Sequence, residues 1–107
     1  MTGSAVESLP VVDVSFLPAA QADYDEAFAW YLERSARAAS GFKAAVADGV
    51  QQIGDNPETY ALIDKRHRRC LLRRYPFSLV YRIETTGVVV VAVAHSRRRS
   101  WYWRGRA

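Results

Sequence analysis

The hydrophobic pattern of the chain changes at Pro57, and this change limits the folds that the chain can adopt. Before Pro57, apolar residues recur every three or four positions, which is the spacing of amphipathic helices. After it, short runs rich in apolar and β-branched residues alternate with turn-forming residues, which is typical of strands. A chain of 107 residues is long enough for one hydrophobic core but not for two. We therefore expect one domain in which helices precede a series of strands.

Two helices joined by a very short link are predicted before Pro57. Pro18 suits the first turn of a helix, and the first helix extends over about residues 19–34. Ser35 is a cap or a break, and the second helix covers about residues 36–54. Each helix has an apolar stripe, so the two form a helical hairpin. The stripes consist of Ala20, Tyr24, Ala27, Phe28 and Tyr31, and of Phe42, Val46, Gly49, Val50 and Ile53.

The polar face of the first helix carries one aromatic residue, Trp30. The polar residues around it are Asp23, Glu26, Glu33 and Arg37. A tryptophan on such a face is a candidate contact residue, and packing under a neighbouring loop or strand is an equal alternative.

One predicted strand precedes the helices, over residues 11–16, and three or four follow them. The later strand-like runs are residues 60–63, 68–74, 77–84 and 88–94. The last run is apolar on both faces, as a central strand should be. The order predicts an α+β two-layer fold, β-α-α-β-β-β(-β), with the helical hairpin packed on a mainly antiparallel sheet. We expect residues 1–10 to be a flexible segment before a single domain over residues 11–107.

Charge is divided unevenly along the chain. Residues 1–58 hold nine acidic and three basic side chains, a net charge of −6, whereas residues 59–107 hold twelve basic and two acidic ones, a net charge of +10. Eleven of those twelve are arginine, whose planar guanidinium suits phosphate and carboxylate groups. A solvated charged face is the simpler explanation, but the aromatic residues between the arginines favour an anionic partner. We expect the arginines on the sheet face opposite the helices or at its open edge.

Several classes of site are excluded by residue content. The single cysteine, Cys70, and the two histidines, His67 and His95, are too few for a zinc site of usual spacing, so no metal is expected. Gly-rich phosphate loops and the common hydrolase motifs are absent from the sequence, and no cofactor is expected. No apolar run approaches the roughly 20 residues of a membrane span, and no secretory signal is evident, so we expect a cytoplasmic protein without a membrane partner.

Basic and aromatic residues are concentrated where the predicted strands end. Arg73 and Arg74 end one strand, and residues 95–104 follow the last. Arginine with histidine or tyrosine could support RNA cleavage through the 2′-hydroxyl, and the same arginines could bind phosphate or an acidic peptide without catalysis. His95 is equally a structural histidine. The three aromatic residues at 101–103 could stack on bases or fold back onto the domain.

The chain resembles the RelE/ParE superfamily, the toxins of bacterial type II toxin–antitoxin pairs. The resemblance covers residues 12–106 and rests on four segments in this order: PAAQADYDEAFAWYLE, IGDNPE, LLRRYPFSLVYRIE and VVVVAVAHSRRRSWYWRGR. It implies the same β-α-α-β-meander fold and inhibition of growth. It also implies neutralisation by an antitoxin with an acidic, partly disordered segment, which suits the +10 part of the chain.

Two targets are implied by the superfamily. RelE-like members cut mRNA in the ribosomal A site, and the resemblance places Arg73 and Arg97 at their catalytic arginines and Tyr102 beside their catalytic tyrosine, with His95 as a further candidate. ParE-like members inhibit DNA gyrase, and the AVAH and RRRSWYW segments resemble this branch more closely. Gyrase inhibition is therefore the expected function, with mRNA cleavage and a non-toxic nucleic-acid-binding module as alternatives. The residues expected to bind target or antitoxin are Trp30, Arg74, Arg82, Arg98, Arg99, Trp101, Trp103 and Arg104.

Overall fold

The computed structural model of the chain describes residues 13–99 and 101–106. Its elements confirm the predicted α+β order of one strand, two helices and a meander. They are β1 (Val14–Phe16), α1 (Pro18–Arg34), α2 (Ala36–Asp55), β2 (His67–Leu71), β3 (Phe77–Glu84) and β4 (Gly87–His95). The predicted flexible segment 1–10, and the first two residues of the predicted opening strand, lie outside the described residues.

The four strands form one mixed sheet in the order β1-β4-β3-β2. β1 runs parallel to β4, and the other two pairs are antiparallel. The prediction that the apolar last strand lies in the centre of the sheet is confirmed. β1 pairs only with residues 88–90, so in the described part of the chain no strand covers the outer edge of β4 from Val91 onward.

One predicted strand does not form, and another ends earlier than predicted. Residues 60–63 do not form a strand but only a single bridge between Leu62 and Arg68. The cause is Asp64, whose carboxylate accepts hydrogen bonds from the backbone N–H groups of Arg66 and His67 and so turns the chain at this point. β2 ends at Leu71 rather than at Arg74, because the chain bends over residues 73–76, where Arg74 adopts a φ of 70°.

The helical hairpin packs on one face of the sheet through an aromatic core. Phe42 is fully buried, and its ring lies 5.1 to 5.7 Å from the rings of Tyr24, Tyr31, Tyr75 and Phe77. Phe42, Val46, Gly49 and Ile53 of the predicted stripe of α2 are buried, and Val50 packs against them. The predicted inner face of the hairpin is therefore confirmed, apart from the position of Asp23 described below.

Ser35 separates the two helices and caps the second. Its Oγ accepts a hydrogen bond of 3.1 Å from the backbone N–H of Ala38. We expect Ser35→Ala to lower the free energy of unfolding by about 1 kcal/mol, because the first turn of α2 loses this acceptor. Ser40→Ala, at an exposed position inside α2, is the matched control and should change stability by less than about 0.5 kcal/mol. Urea denaturation followed by circular dichroism measures both, and equal effects would contradict a capping role.

The other face of the sheet carries a second, smaller core. β3 and β4 shift register at Val80/Tyr81, so that Val91 lies between the pairs Val80–Ala92 and Tyr81–Val90. This bulge places Val80, Val91 and Ala92 in one cluster, which Trp103 covers. The C-terminal segment 101–106 thus folds back onto the domain and covers part of the sheet face on which, or at whose open edge, we expected the arginines.

Candidate functional site

Two segments meet at one end of the sheet, and five exposed arginines lie in them. The loop between β2 and β3 contacts the segment that follows β4 through a hydrogen bond of 2.8 Å from Ser96 N to Pro76 O. In the described residues, no carboxylate forms an ion pair with any of these arginines. We call this group the arginine end, and it comprises Arg73, Arg74, Arg97, Arg98 and Arg99.

The residues expected to catalyse RNA cleavage are divided between two environments. Arg73 and Arg97 are exposed at the arginine end. His95 Nδ1 accepts a hydrogen bond of 2.9 Å from the backbone N–H of Arg97, which assigns the proton of the neutral ring to Nε2. The His95 ring also packs edge-on against Phe77, 5.0 Å away. These contacts are those of a structural histidine, and they occupy the nitrogen that a general base would use.

Tyr102 is half-buried, and its hydroxyl is bound inside the fold. Its hydroxyl donates to Asp23 Oδ2 at 3.1 Å and lies 3.4 Å from the carbonyl oxygen of Val93. Burial, together with the negative charge of Asp23, raises the pKa of Tyr102 to about 12. The tyrosine is therefore neutral at physiological pH, with its hydroxyl engaged by another side chain.

A groove lies between α1 and the outer edge of β4, with a volume of about 500 Å³. Trp30 stands at this groove and is 52% exposed, so of the two predicted alternatives the structure supports an exposed side chain. The Arg34 guanidinium covers one face of its ring at 3.7 Å and donates to its carbonyl oxygen. The groove is mainly apolar, with two carboxylates and one arginine. Its lining residues are Asp23, Glu26, Ala27, Trp30, Tyr31, Pro76, Phe77, Val93, His95 and Arg98.

A second groove of about 360 Å³ lies on the sheet face opposite the helices. Three exposed arginines, Arg69, Arg98 and Arg99, line it together with the C-terminal aromatic residues. His95 and Arg98 line both grooves, so the two adjoin at the end of β4. An occupant of either groove would therefore meet the arginine end.

The outer edge of β4 is capped by side chains, and the C-terminal segment takes part in this cap. Asp23 Oδ2 accepts hydrogen bonds from Val93 N at 3.1 Å and from Arg106 Nη1 at 2.8 Å, in addition to the bond from Tyr102. Arg106 Nη1 also donates to the carbonyl oxygen of Val91 at 2.9 Å. We call this arrangement the Asp23 clasp. The hydrogen bond and negative charge of Asp23 raise the pKa of Arg106, so the guanidinium stays charged.

Two residues expected to bind a partner lie inside the fold. Arg82 is 9% exposed, and its Nε donates to Glu84 Oε2 at 2.5 Å. Trp103 is 5% exposed, covers the second core and lies 4.7 Å from the ring of His67. Neither side chain is presented to a partner in this conformation. Their burial has no local signal, because the pattern of residues along the chain does not reveal that the C-terminal segment covers the second face of the sheet.

The other residues expected to bind a partner are exposed. Arg74, Arg98 and Arg99 belong to the arginine end, and Trp101 is 40% exposed beside them. Arg104 lies with its guanidinium 4.5 Å from the ring of Trp101. Arginine–aromatic stacks of this kind hold the guanidinium in place while it remains open to an acidic partner.

Asp23 is the residue that the sequence analysis misplaced. It was assigned to the polar face of the first helix, yet its side chain is only 8% exposed. The signal for its burial is its spacing of three residues from Ala20 and four from Ala27, which are both buried. Arg69 and Arg106 were also missed, because neither spacing nor composition distinguishes them from the other arginines.

The described residues contain neither a metal-binding cluster nor a membrane-spanning helix. In residues 13–99 and 101–106, no group of three or more histidine, cysteine, aspartate and glutamate side chains lies close enough to hold a metal ion. None of the helices in this part of the chain combines the length and the apolar character needed to cross a bilayer.

Comparisons with known proteins agree with this architecture. A family model described as the ParE toxin of the type II toxin–antitoxin system, parDE, matches residues 14–100. A solved structure of the chromosomal ParDE TA system from P. aeruginosa contains a chain of similar fold, with a TM-score of 0.69 and 17% sequence identity. The match covers 79% of this chain and 96% of that one. No curated protein matches the chain.

Proposed function

The chain belongs to the ParE toxin family of type II toxin–antitoxin systems, and on this basis we propose that it arrests bacterial growth by inhibiting DNA gyrase. The observation that supports a binding function is the arginine end, where five exposed arginines occupy two adjoining segments and form no ion pair with a carboxylate in the described residues. Such a surface attracts an acidic partner and accelerates its association.

Inhibition by binding is favoured over RNA cleavage by the state of the side chains that would catalyse it. His95 uses Nδ1 to accept a backbone hydrogen bond, and the Tyr102 hydroxyl is bound to Asp23. Cleavage needs a base and an acid that are free to exchange protons with the substrate. The remaining candidates, Arg73 and Arg97, carry guanidinium groups, which can stabilise negative charge but do not replace the base and the acid.

We further propose that a cognate antitoxin neutralises the toxin through an acidic segment with apolar anchors. The groove beside Trp30 offers an apolar lining, and Arg98 at its end offers a positive charge. A disordered segment that is both apolar and acidic fits this combination, since it can bury apolar side chains in the groove and pair its carboxylates with the arginine end.

Removing two charges from the arginine end tests the gyrase proposal. We expect the double variant Arg97→Ala/Arg99→Ala to need about tenfold more protein for half-maximal inhibition of purified gyrase, because two exposed charges no longer attract the target. The control Arg37→Ala/Lys43→Ala removes the same charge from exposed positions on α2 and should change the half-maximal concentration by less than about twofold. The measurement is ATP-dependent supercoiling of relaxed plasmid.

Three outcomes would contradict this proposal. A wild-type protein that arrests growth but leaves supercoiling intact at large excess has another target. Early loss of amino-acid incorporation, with RNA cleavage that Arg73→Ala abolishes, would establish the ribosome-directed alternative. Strongly salt-dependent binding to bare RNA or DNA, without growth arrest, would indicate a nucleic-acid-binding module.

A further inference from the structure

The Asp23 clasp joins three parts of the fold that are distant in the sequence. Asp23 lies on α1, Val91 and Val93 lie on the outer edge of β4, and Arg106 lies in the C-terminal segment, 83 residues from Asp23. The Asp23 side chain is 8% exposed and that of Arg106 is 20% exposed. Charge-assisted hydrogen bonds in such an environment are stronger than those at an open surface.

The clasp satisfies polar groups that a short β1 leaves open. Val93 N and Val91 O point away from β3, beyond the last residue that β1 pairs with. Asp23 and Arg106 bind these two groups and therefore act in place of a neighbouring strand. Unpaired edge groups carry a free-energy cost, so the fold has a reason to keep both side chains here.

The clasp also orients side chains that face solvent. The ring of Tyr102 lies close to two guanidinium groups, that of Arg98 at 3.9 Å and that of Arg106 at 5.0 Å. Arg106 and the Tyr102 hydroxyl are both bound to Asp23, so the position of the ring, and with it that of Arg98, depends on Asp23. Trp101 and Arg104 belong to the same short segment and stack on each other.

We propose that Asp23 is a positioning residue for target binding, which holds the C-terminal segment so that Trp101 and Arg104 form one surface with Arg98 and the rest of the arginine end. The proposal rests on the proposed function, because it assigns these exposed side chains to the contact with the target. Asp23 itself is buried in the clasp and acts through Tyr102 and Arg106. Through them it fixes the positions of exposed guanidinium groups and one indole ring, and this arrangement suits binding to an acidic protein surface.

The test compares Asp23→Asn with Asp25→Asn. Asparagine preserves the shape of Asp23 but removes the charge that holds Arg106. Asp25 is a suitable control because it is exposed on the same helix and forms a side-chain hydrogen bond only with Gln21 in the described structure. Because one charge-assisted hydrogen bond changes an equilibrium by about tenfold or more, we expect Asp23→Asn to raise the half-maximal concentration for gyrase inhibition by about tenfold. Asp25→Asn should raise it by less than about twofold. Both are measured at a temperature where each protein is fully folded by circular dichroism.

A second pair of variants separates positioning from general stability. Arg106→Met removes the guanidinium that binds Asp23, whereas Arg106→Lys keeps a positive charge that can pair with Asp23. We expect Arg106→Met to weaken gyrase inhibition about as much as Asp23→Asn does, and Arg106→Lys to weaken it less. The double variant Asp23→Asn/Arg106→Met should inhibit no more than about twofold less strongly than the weaker of the two single variants. Additive losses would show that Asp23 acts by a route other than the C-terminal segment, and would overturn the proposal.

Limited trypsin digestion provides a readout that does not depend on the target. Asp23→Asn should increase the rate of cleavage after Arg104 by about tenfold, because the C-terminal segment detaches more often, while Asp25→Asn should not. Faster cleavage with unchanged gyrase inhibition would overturn the positioning role. If wild-type protein arrests growth without inhibiting gyrase, only the gyrase proposal fails, and growth arrest replaces supercoiling as the readout for the same variants. Unchanged growth arrest in Asp23→Asn would then overturn the inference.

Discussion

Trp103→Ala is expected to lower the free energy of unfolding by about 3–5 kcal/mol, the range found when a buried aromatic side chain is truncated. Trp103 is 5% exposed and covers Val80, Val91 and Ala92, so its removal leaves a cavity on the second face of the sheet. The total free energy of unfolding of a domain is about 5–15 kcal/mol, so the loss would be a large part of it. Urea denaturation followed by far-ultraviolet circular dichroism measures the change.

Trp101→Ala is the matched control for this effect. Trp101 is two residues away, has the same side chain and is 40% exposed. We expect it to change the free energy of unfolding by less than about 1 kcal/mol. Similar effects at both positions would mean that the C-terminal segment does not cover the sheet in solution. The comparison thus separates the two tryptophans, one structural and one available to a partner, that the sequence alone treats as equivalent.

Gly87→Ala is expected to lower the free energy of unfolding by about 2–5 kcal/mol, from backbone strain and overpacking together. Gly87 begins β4 with a φ of 143°, and an added Cβ would lie 2.5 Å from the backbone oxygen of Asp13. That oxygen accepts a hydrogen bond of 2.8 Å from Val88 N, which joins the residue before β1 to β4. The substitution therefore disturbs both the hairpin and the parallel pairing. Thermal unfolding and urea denaturation measure the loss.

Gly105→Ala controls for the positive φ alone. Gly105 has a φ of 90°, but no atom lies within 4 Å of the position that its Cβ would take. We expect a loss of only about 1 kcal/mol, the usual cost of the unfavourable backbone conformation. Equal losses at the two glycines would contradict the close approach of Asp13 to β4.

The elements of the fold were predictable because their signals are local. The spacing of apolar residues around Phe42 and Ile53 predicted the inner face of α2, and the uniformly apolar run ending at Ala94 predicted a central strand. Ser35 marked the boundary between the helices, where it caps α2. Each of these features depends on residues that are close together in the chain, so the sequence pattern is sufficient to predict them.

The errors occurred where a side chain or a distant segment overrides the local pattern. Residues 60–63 have the composition of a strand, but the carboxylate of Asp64 turns the chain before a ladder can form. Arg82 alternates as an exposed residue would, yet Glu84 and the carbonyl oxygen of Arg106 bind it on a covered face. Neither contact has a signature in the spacing of apolar residues.

The sequence alone determined the order of helices and strands, the concentration of arginine after Pro57 and the family resemblance, since all three are properties of residues near one another in the chain. Only the tertiary structure decided which arginines are exposed, which tryptophan is buried, and that Asp23 binds Arg106. Those outcomes depend on contacts between residues far apart in the sequence, 83 positions in the case of Asp23 and Arg106. Such contacts form because a buried polar group without a hydrogen bond costs free energy. The fold, not the sequence spacing, determines which hydrogen-bonding partner lies close enough.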